Sequence, residues 1–189
     1  MRVMVFDVPA EGGGALSILK DFYEEVKASN DGGMEWYFVL GRARLEEAGN
    51  IKVLRFPWVK RSWAHRLYFD HAIAPRLVKE YAIDRVFSLQ NVTIPRTEVP
   101  QTLYVHQSLP FSDYRFALSE SPLFWTYQNV IGEIIKNSIK KAEKVIVQTE
   151  WMKQAAVRET GVKPEKIAVV PPRISMKPEE RFVPSEKRC

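Results

Sequence analysis

His106 closes the apolar run Thr102–Val105 and is followed by Gln107, Ser108 and Pro110. A histidine at such a point can exchange a proton near neutral pH or hydrogen-bond a hydroxyl. The other two histidines, His65 and His71, sit six apart in one helical stretch, which sets them on different faces. They read as surface or packing residues, and three scattered histidines make no metal site. Gly12-Gly13-Gly14 lies between a short apolar run and a helical pattern, where free backbone amides at a helix start can face an anion. A plain turn that needs positive φ and close strand–helix packing accounts for the same glycines. Asp7 and Glu11 flank this loop and could bind a hydroxyl or a metal, although such residues more often cap a helix or face solvent.

Whether these residues meet depends on the elements that carry them. Arg2–Asp7, Glu35–Leu40, Ile51–Phe56, Arg85–Leu89, Thr102–His106, Lys144–Gln148 and Lys166–Val170 read as strands. Ala15–Lys27 has apolar residues at helical spacing (Leu16, Leu19, Tyr23, Val26), and Asn30–Gly33 stops it. Ser62–Ala82 reads as a long helix capped by Ser62, with Pro75 as a kink or break. Ser121–Ala142 opens on Ser-Pro, a cap followed by proline at the first helical position, and Glu150–Thr160 is closed by Gly161. Strands apolar on both faces and alternating with helices predict a Rossmann-like, doubly wound, mostly parallel α/β sheet covered on both sides. Ligands of such sheets sit beyond the carboxyl ends of the strands. That picks out Pro9–Gly14, Gly41–Arg44, Gln90-Asn91, His106–Ser108 and Thr149-Glu150.

Several chemistries are weakened or excluded. The fingerprint G-x-G-x-x-G is half met: Gly12 and Gly14 fit, but Ser17 stands where the third glycine or alanine belongs. The second strand ends in Gly41-Arg42, and an arginine there suits a 2′-phosphate. An NADP-binding oxidoreductase domain is therefore one alternative. A phosphate loop ending in G-K-[ST] and a G-x-S-x-G nucleophile elbow are both absent. Two stretches mix aromatic and basic residues, Trp58–Arg66 and Phe124–Lys141. Such mixtures can lie on anionic membranes or stack bases, but core aromatics beside snorkelling lysines are the plainer expectation. A non-catalytic module binding a partner or a membrane is the second alternative.

Composition sets the outer limits. With 46% hydrophobic and 12% aromatic residues the 189-residue chain can bury a sizeable core. The one cysteine, Cys189, excludes a disulfide framework and a cysteine zinc site and fits a reducing compartment. MRVMVFDVPAE is no signal peptide, and no run of about 18 apolar residues exists. A net charge of +5 suits acidic partners such as phosphates, nucleotides or anionic lipid. Prolines at 171, 172, 178 and 184 punctuate a charged tail that reads as a linker.

Taken with Gly12-Gly13-Gly14, His106 and the tail, the segment KAEKVIVQTEWMKQAAVRETGVKPEKIAVVPPRI at 141–174 resembles the N-terminal domain of glycosyltransferase family 4 enzymes, which have the two-domain GT-B fold. The family's late strand, helix and following turn match Val145–Glu150, Gly161-Val162, Lys166-Ile167 and Val170–Ile174. The chain departs from the family at Pro172, where asparagine usually stands, and at Arg173, where glycine does.

The resemblance implies retaining transfer of a sugar from a nucleotide-sugar donor to a glycan or lipid-linked acceptor. It makes His106 the catalytic candidate and Gly12, Gly13 and Gly14 the loop at the donor diphosphate. Ser17, Gln90, Asn91 and Glu150 become acceptor-side candidates. It implies no metal, no cofactor beyond the nucleotide-sugar as substrate, and no nucleic-acid partner. Residues 1–172 would form the domain, and 173–189 a linker toward a C-terminal domain that binds most of the donor. That domain carries a pair of glutamates eight positions apart, a spacing absent here, so this chain alone should be inert. A cytoplasmic location, with peripheral contact at the inner face of a membrane, completes the expectation.

Overall fold

The computed structural model describes residues 1–29 and 33–171. Of the expected helix stop Asn30–Gly33 all but Gly33 lies outside the described residues, as do the expected linker 173–189 and Pro172.

The sheet is built from β1 (Arg2–Asp7), β2 (Glu35–Leu40), β3 (Ile51–Arg55), β4 (Arg85–Ser88), β5 (Gln101–Val105), β6 (Lys144–Val147) and β7 (Ile167–Val169). All seven strands pair in parallel, in the order β3-β2-β1-β4-β5-β6-β7. The order reverses between β1 and β4. This is the doubly wound arrangement, and its crevice opens over the carboxyl ends of those two strands.

Side-chain alternation along the strands feeds two faces. On one, Met4 and Phe6 of β1 and Tyr37 and Val39 of β2 pack with Phe69, Leu77 and Val78. On the other, Val5, Phe38 and Leu40 meet Leu19, Tyr23 and Val26 of α1 (Gly13–Ser29). A third cluster joins Leu103, Val105, Val145 and Val147 to Ile135, Ile139, Met152 and Ala155. Each of these large side chains gains roughly 1.5–3 kcal/mol on leaving water.

The expected long helix over Ser62–Ala82 is a helical run of three pieces. Ser62 does cap it, its hydroxyl accepting from the His65 N–H. Then α2 (Trp63–Tyr68) passes into a π turn, Phe69–Ile73, and on into α3 (Ala74–Glu80). The Ala74 N–H bonds the Phe69 carbonyl, five residues back. The run continues through Pro75 without a break. The widened turn just before it makes room for the proline ring, which in a regular helix would strike the carbonyl four residues earlier.

The second expected long helix has the same build. Ser121 caps α4 (Pro122–Thr126), a π turn follows at Tyr127–Ile131, and α5 (Gly132–Lys141) completes it. Gly132 lets this helix press on Pro110, whose Cβ would lie 3.1 Å from an added methyl. The last helix, α6 (Glu150–Thr160), has the expected span and the expected Gly161 at its end, in the left-handed region at φ 69°, and Thr149 caps its start. Among the described residues no helix is long and apolar enough to cross a membrane.

Gly41, just past β2, is held by space alone. A Cβ there would stand 2.4 Å from the Val8 carbonyl oxygen, whereas one on Gly12 would meet nothing within 4 Å. Gly41→Ala should lower unfolding stability by about 1–3 kcal/mol, as overpacking against rigid backbone does. Gly12→Ala should shift it by less than about 0.5 kcal/mol. Urea midpoints of the two variants measure the contrast.

Candidate functional site

The crevice between β1 and β4 deepens into a cavity of about 590 Å³. Its floor is formed where three strands end: Asp7 as the last residue of β1 with Pro9 beyond it, Gln90 to Thr93 after β4, His106 and Gln107 after β5. One wall is α2 with its π turn, presenting Trp63, Arg66, Leu67, Asp70 and His71. The other is the Tyr127–Ile131 turn with α5, presenting Tyr127, Ile131 and Ile134. Both walls therefore bear on the cavity through a π turn, a feature frequent at functional sites.

His106 is oriented by Asn91. The Asn91 Oδ1 accepts from the backbone N–H groups of His106 at 2.8 Å and Gln107 at 2.9 Å. Its Nδ2 must then donate, and it lies 3.1 Å from His106 Nε2. That nitrogen accepts, so the ring proton sits on Nδ1. Nδ1 is buried and has no partner among the described residues. Burial also pushes the His106 pKa down, keeping the ring neutral. The geometry leaves Nδ1–H an unpartnered hydrogen-bond donor, rather than a strong base. Asn91 can do this because it takes φ 64°, a left-handed conformation that asparagine tolerates better than most residues.

The loop carrying Gln90 and Asn91 is stapled in turn. Gln101 bonds Ile94 reciprocally, side-chain oxygen to N–H and amide to carbonyl, both at 2.8 Å. Gln90 itself is 4% exposed, and neither its Oε1 nor its Nε2 has a partner. On the far wall, buried Gln128 ties its π turn to the preceding loop through the Phe116 N–H and the Tyr114 and Leu109 carbonyls.

Asp7 is 1% exposed, and its Oδ1 is likewise without a partner. Burial pushes its pKa up to about 7, against the opposing pull of the Arg66 guanidinium and the Ala10 N–H. Asp70 is shifted upward for the same reason, although Arg66 Nε bonds its Oδ2 at 2.6 Å. Its Oδ1 has no partner. Sequence reasoning left Asp7 as a generic loop flank and missed Arg66 and Asp70. Their i,i+4 spacing on a helix was the available signal.

The expected site residues fall into two groups. His106, Gln90 and Asn91 come together in the cavity with Asp7. Gly12, Gly13, Gly14 and Ser17 are exposed at the start of α1, beside the cavity, where only Ala15 reaches the lining; Gly13 takes φ 59°. Glu150 is exposed at the first position of α6 and does not line the cavity. Glu11 is engaged by Lys60 at 2.9 Å and lies 3.9 Å from Arg42. His71, expected as a surface or packing residue, is exposed and also lines the cavity. Trp63 departs from the core reading and is 63% exposed, while Trp58 packs against the core as expected. Among the described residues no group of three His, Cys, Asp or Glu side chains is placed to hold a metal.

With this geometry in view, comparison with known proteins identifies the class. The family model for Glycosyltransferase Family 4 matches residues 32–176, and the chain belongs to that family. Two solved structures share its fold. The lipopolysaccharide outer core galactosyltransferase WaaB, in its apo form, superposes with TM-score 0.58 at 16% identity over 94% of this chain and 47% of that one. A UGT transferase from Siraitia grosvenorii in complex with UDP gives 0.61 at 10% identity over 91% and 51%. The chain thus spans about half the length of the solved structures it matches. No curated protein sequence matches at a significant level.

Two measurements probe the site directly. An Asp whose folded pKa stands above its unfolded value of about 4 keeps in the native state a proton that the unfolded chain has lost. Asp7 therefore makes the fold less stable as pH rises from about 4 to about 7 and adds no change above that. Asp7→Asn should gain on the wild type across this window and hold a constant lead at higher pH, read from urea midpoints at pH 5, 6 and 8. Parallel curves would mean that the carboxyl is ionised throughout. For His106, the ring proton resonances should titrate below 6.5 in the wild type and above it in Asn91→Asp, since an adjacent carboxylate favours the imidazolium.

Proposed function

We propose that residues 1–172 are the acceptor-binding half of a retaining, hexose-transferring glycosyltransferase. In this reading 173–189 lead to a C-terminal domain that holds most of a nucleotide-sugar donor. The observation that carries it is the cavity at the β1/β4 reversal in a chain of family 4. There, neutral His106 presents Nδ1–H beside the unpartnered amide of Gln90. A sugar offers both hydroxyl donors and ring or hydroxyl acceptors. His106 donates to an oxygen of the transferred sugar, Gln90 does both, and Asp7 accepts from an acceptor hydroxyl.

The exposed Gly12–Gly14 loop at the start of α1 has no acidic residue in its first helical turn. That leaves the helix N-terminus electrostatically open to a diphosphate. The UDP bound to one fold neighbour is in keeping with a nucleotide donor. Ser17 and Glu150, both exposed, would serve only at the edge of an acceptor. No cofactor beyond the donor is required, and the reaction takes place where the two domains close and exclude water.

The test uses the longer reading frame with its donor domain. His106→Ala should lower kcat by at least about 10²-fold, the scale of a lost transition-state hydrogen bond. Residues 1–189 alone should release no sugar from any nucleotide-sugar. Transfer by the 1–189 chain alone would overturn this division of labour.

A further inference from the structure

Arg66 serves two acids at once. Its Nε bonds Asp70 Oδ2 at 2.6 Å, and its guanidinium attracts the Asp7 carboxyl. All three line the cavity and sit largely out of water: Asp7 is 1% exposed, and the side chains of Arg66 and Asp70 are 19% and 16% exposed. The group sets two carboxyls against one fixed cation. One oxygen of each acid, Asp7 Oδ1 and Asp70 Oδ1, is buried without a partner. Gln90 lines the same cavity, buried, with both amide atoms unpartnered.

The rest of the lining does not supply the missing charge. His106 is neutral, and His71 is exposed and draws Asp70 less than Arg66 does. Lys141 is exposed on the opposite wall and acts on neither acid. Ser138 donates its hydroxyl to the Ile134 carbonyl, and Asn137 brings an amide rather than a charge. Ligand hydroxyls alone would meet the free lone pairs but leave a buried carboxylate uncompensated, which is costly. A metal ion would find no set of three His, Cys, Asp or Glu ligands among the described residues. A protonated amine brings both the charge and three N–H donors.

We infer that the acceptor carries a primary amine, whose ammonium is held by Asp7 Oδ1 and Asp70 Oδ1 while Gln90 takes its hydroxyls. This rests on the reading of the cavity as an acceptor site and narrows the acceptor to an amino sugar or similar amino polyol. A carboxylate oxygen has two lone pairs, so Asp7 can accept from a neighbouring hydroxyl as well. Arg66 fixes Asp70 through Oδ2 and leaves Oδ1 to the ligand. Without a ligand cation, burial keeps a proton on Asp7 up to about pH 7. The ammonium favours the carboxylate and expels that proton.

The experiment is calorimetric titration of the 189-residue chain at pH 7 with methyl glucosides, galactosides and mannosides. Each is taken as the parent, as its 2-, 3- and 6-amino derivatives, and as the N-acetyl form of each amine. For the preferred isomer the amine should bind about ten-fold tighter than the parent or the N-acetyl form, the gain of a charge-assisted over a neutral hydrogen bond. At pH 6, in buffers of different ionisation heat, binding of the amine should release about one proton. Asp70→Asn should bring the ratio of amine to parent affinity down to about one. Asp7→Asn should do the same and abolish the proton release.

Parent glycosides that bind as tightly as every amine would overturn the amino acceptor while leaving a sugar-binding half intact. An amine preference that survives both substitutions would put the ammonium elsewhere and overturn the proposal. Binding of no glycoside at all would overturn both this inference and the acceptor role of the cavity.

Discussion

Parallel pairing on both edges of β1 is the constraint on which the rest of the molecule depends. Arg2–Asp7 bonds β2 on one side and β4 on the other, and five of its six residues are buried. The chain leaves β1 through α1 on one face of the sheet, builds β2 and β3 outward, then returns along the opposite face through α2 and α3 to lay down β4. Right-handed crossovers require those opposite faces. The loops after β1 and β4 consequently part company, and the crevice between them is the room into which Asp7, Gln90 and His106 project. A strand pairing on one edge only would have left no such opening.

The polar groups on the floor of that opening run against the rule that buried polar groups find partners. Asp7 and Gln90 are almost entirely removed from water, carry atoms without partners and both line the cavity. The fold carries this cost because the surrounding frame does not depend on those groups. Three apolar clusters and the Gln101 and Gln128 anchors hold the loops independently. Most of the unsatisfied polarity, on Asp7, Asp70, Gln90 and His106, therefore belongs to residues that line the cavity, while Glu11 Oε1 and Trp36 Nε1 lie elsewhere. The arrangement around His106 is the converse case. Asn91 saturates two backbone donors and one ring nitrogen, so the remaining nitrogen has a defined proton and direction.

The sheet was legible because its signals are local. Runs of apolar residues mark every strand to within one residue at either end. Gly161 marks the end of α6, and the 141–174 segment carries the family pattern. The site was half legible: strand ends pointed to Gln90, Asn91 and His106, but their mutual bonding spans 15 residues of sequence and exists only because β4 lies beside β5. Asp7 looked like any acid after a strand, since desolvation is a property of everything packed around it. Trp63 looked like core, because an aromatic residue in a sequence does not declare which side of its helix is covered. The π turns left no mark either, as one extra residue barely disturbs an apolar pattern read at spacings of three and four.

Those turns give the cavity an unusual kind of adjustability. A π turn holds one residue more than the α-helical turn it replaces, and each residue advances a helix by about 100°. Loss of a single residue from Phe69–Ile73 would swing Trp63 and Leu67 around the axis while α3 kept its seat on the sheet. The equivalent loss from Tyr127–Ile131 would turn α4 relative to α5. Related chains could thus reshape the same crevice by changes in length alone, with every core residue conserved in kind and the pocket re-lined by side chains that had faced elsewhere.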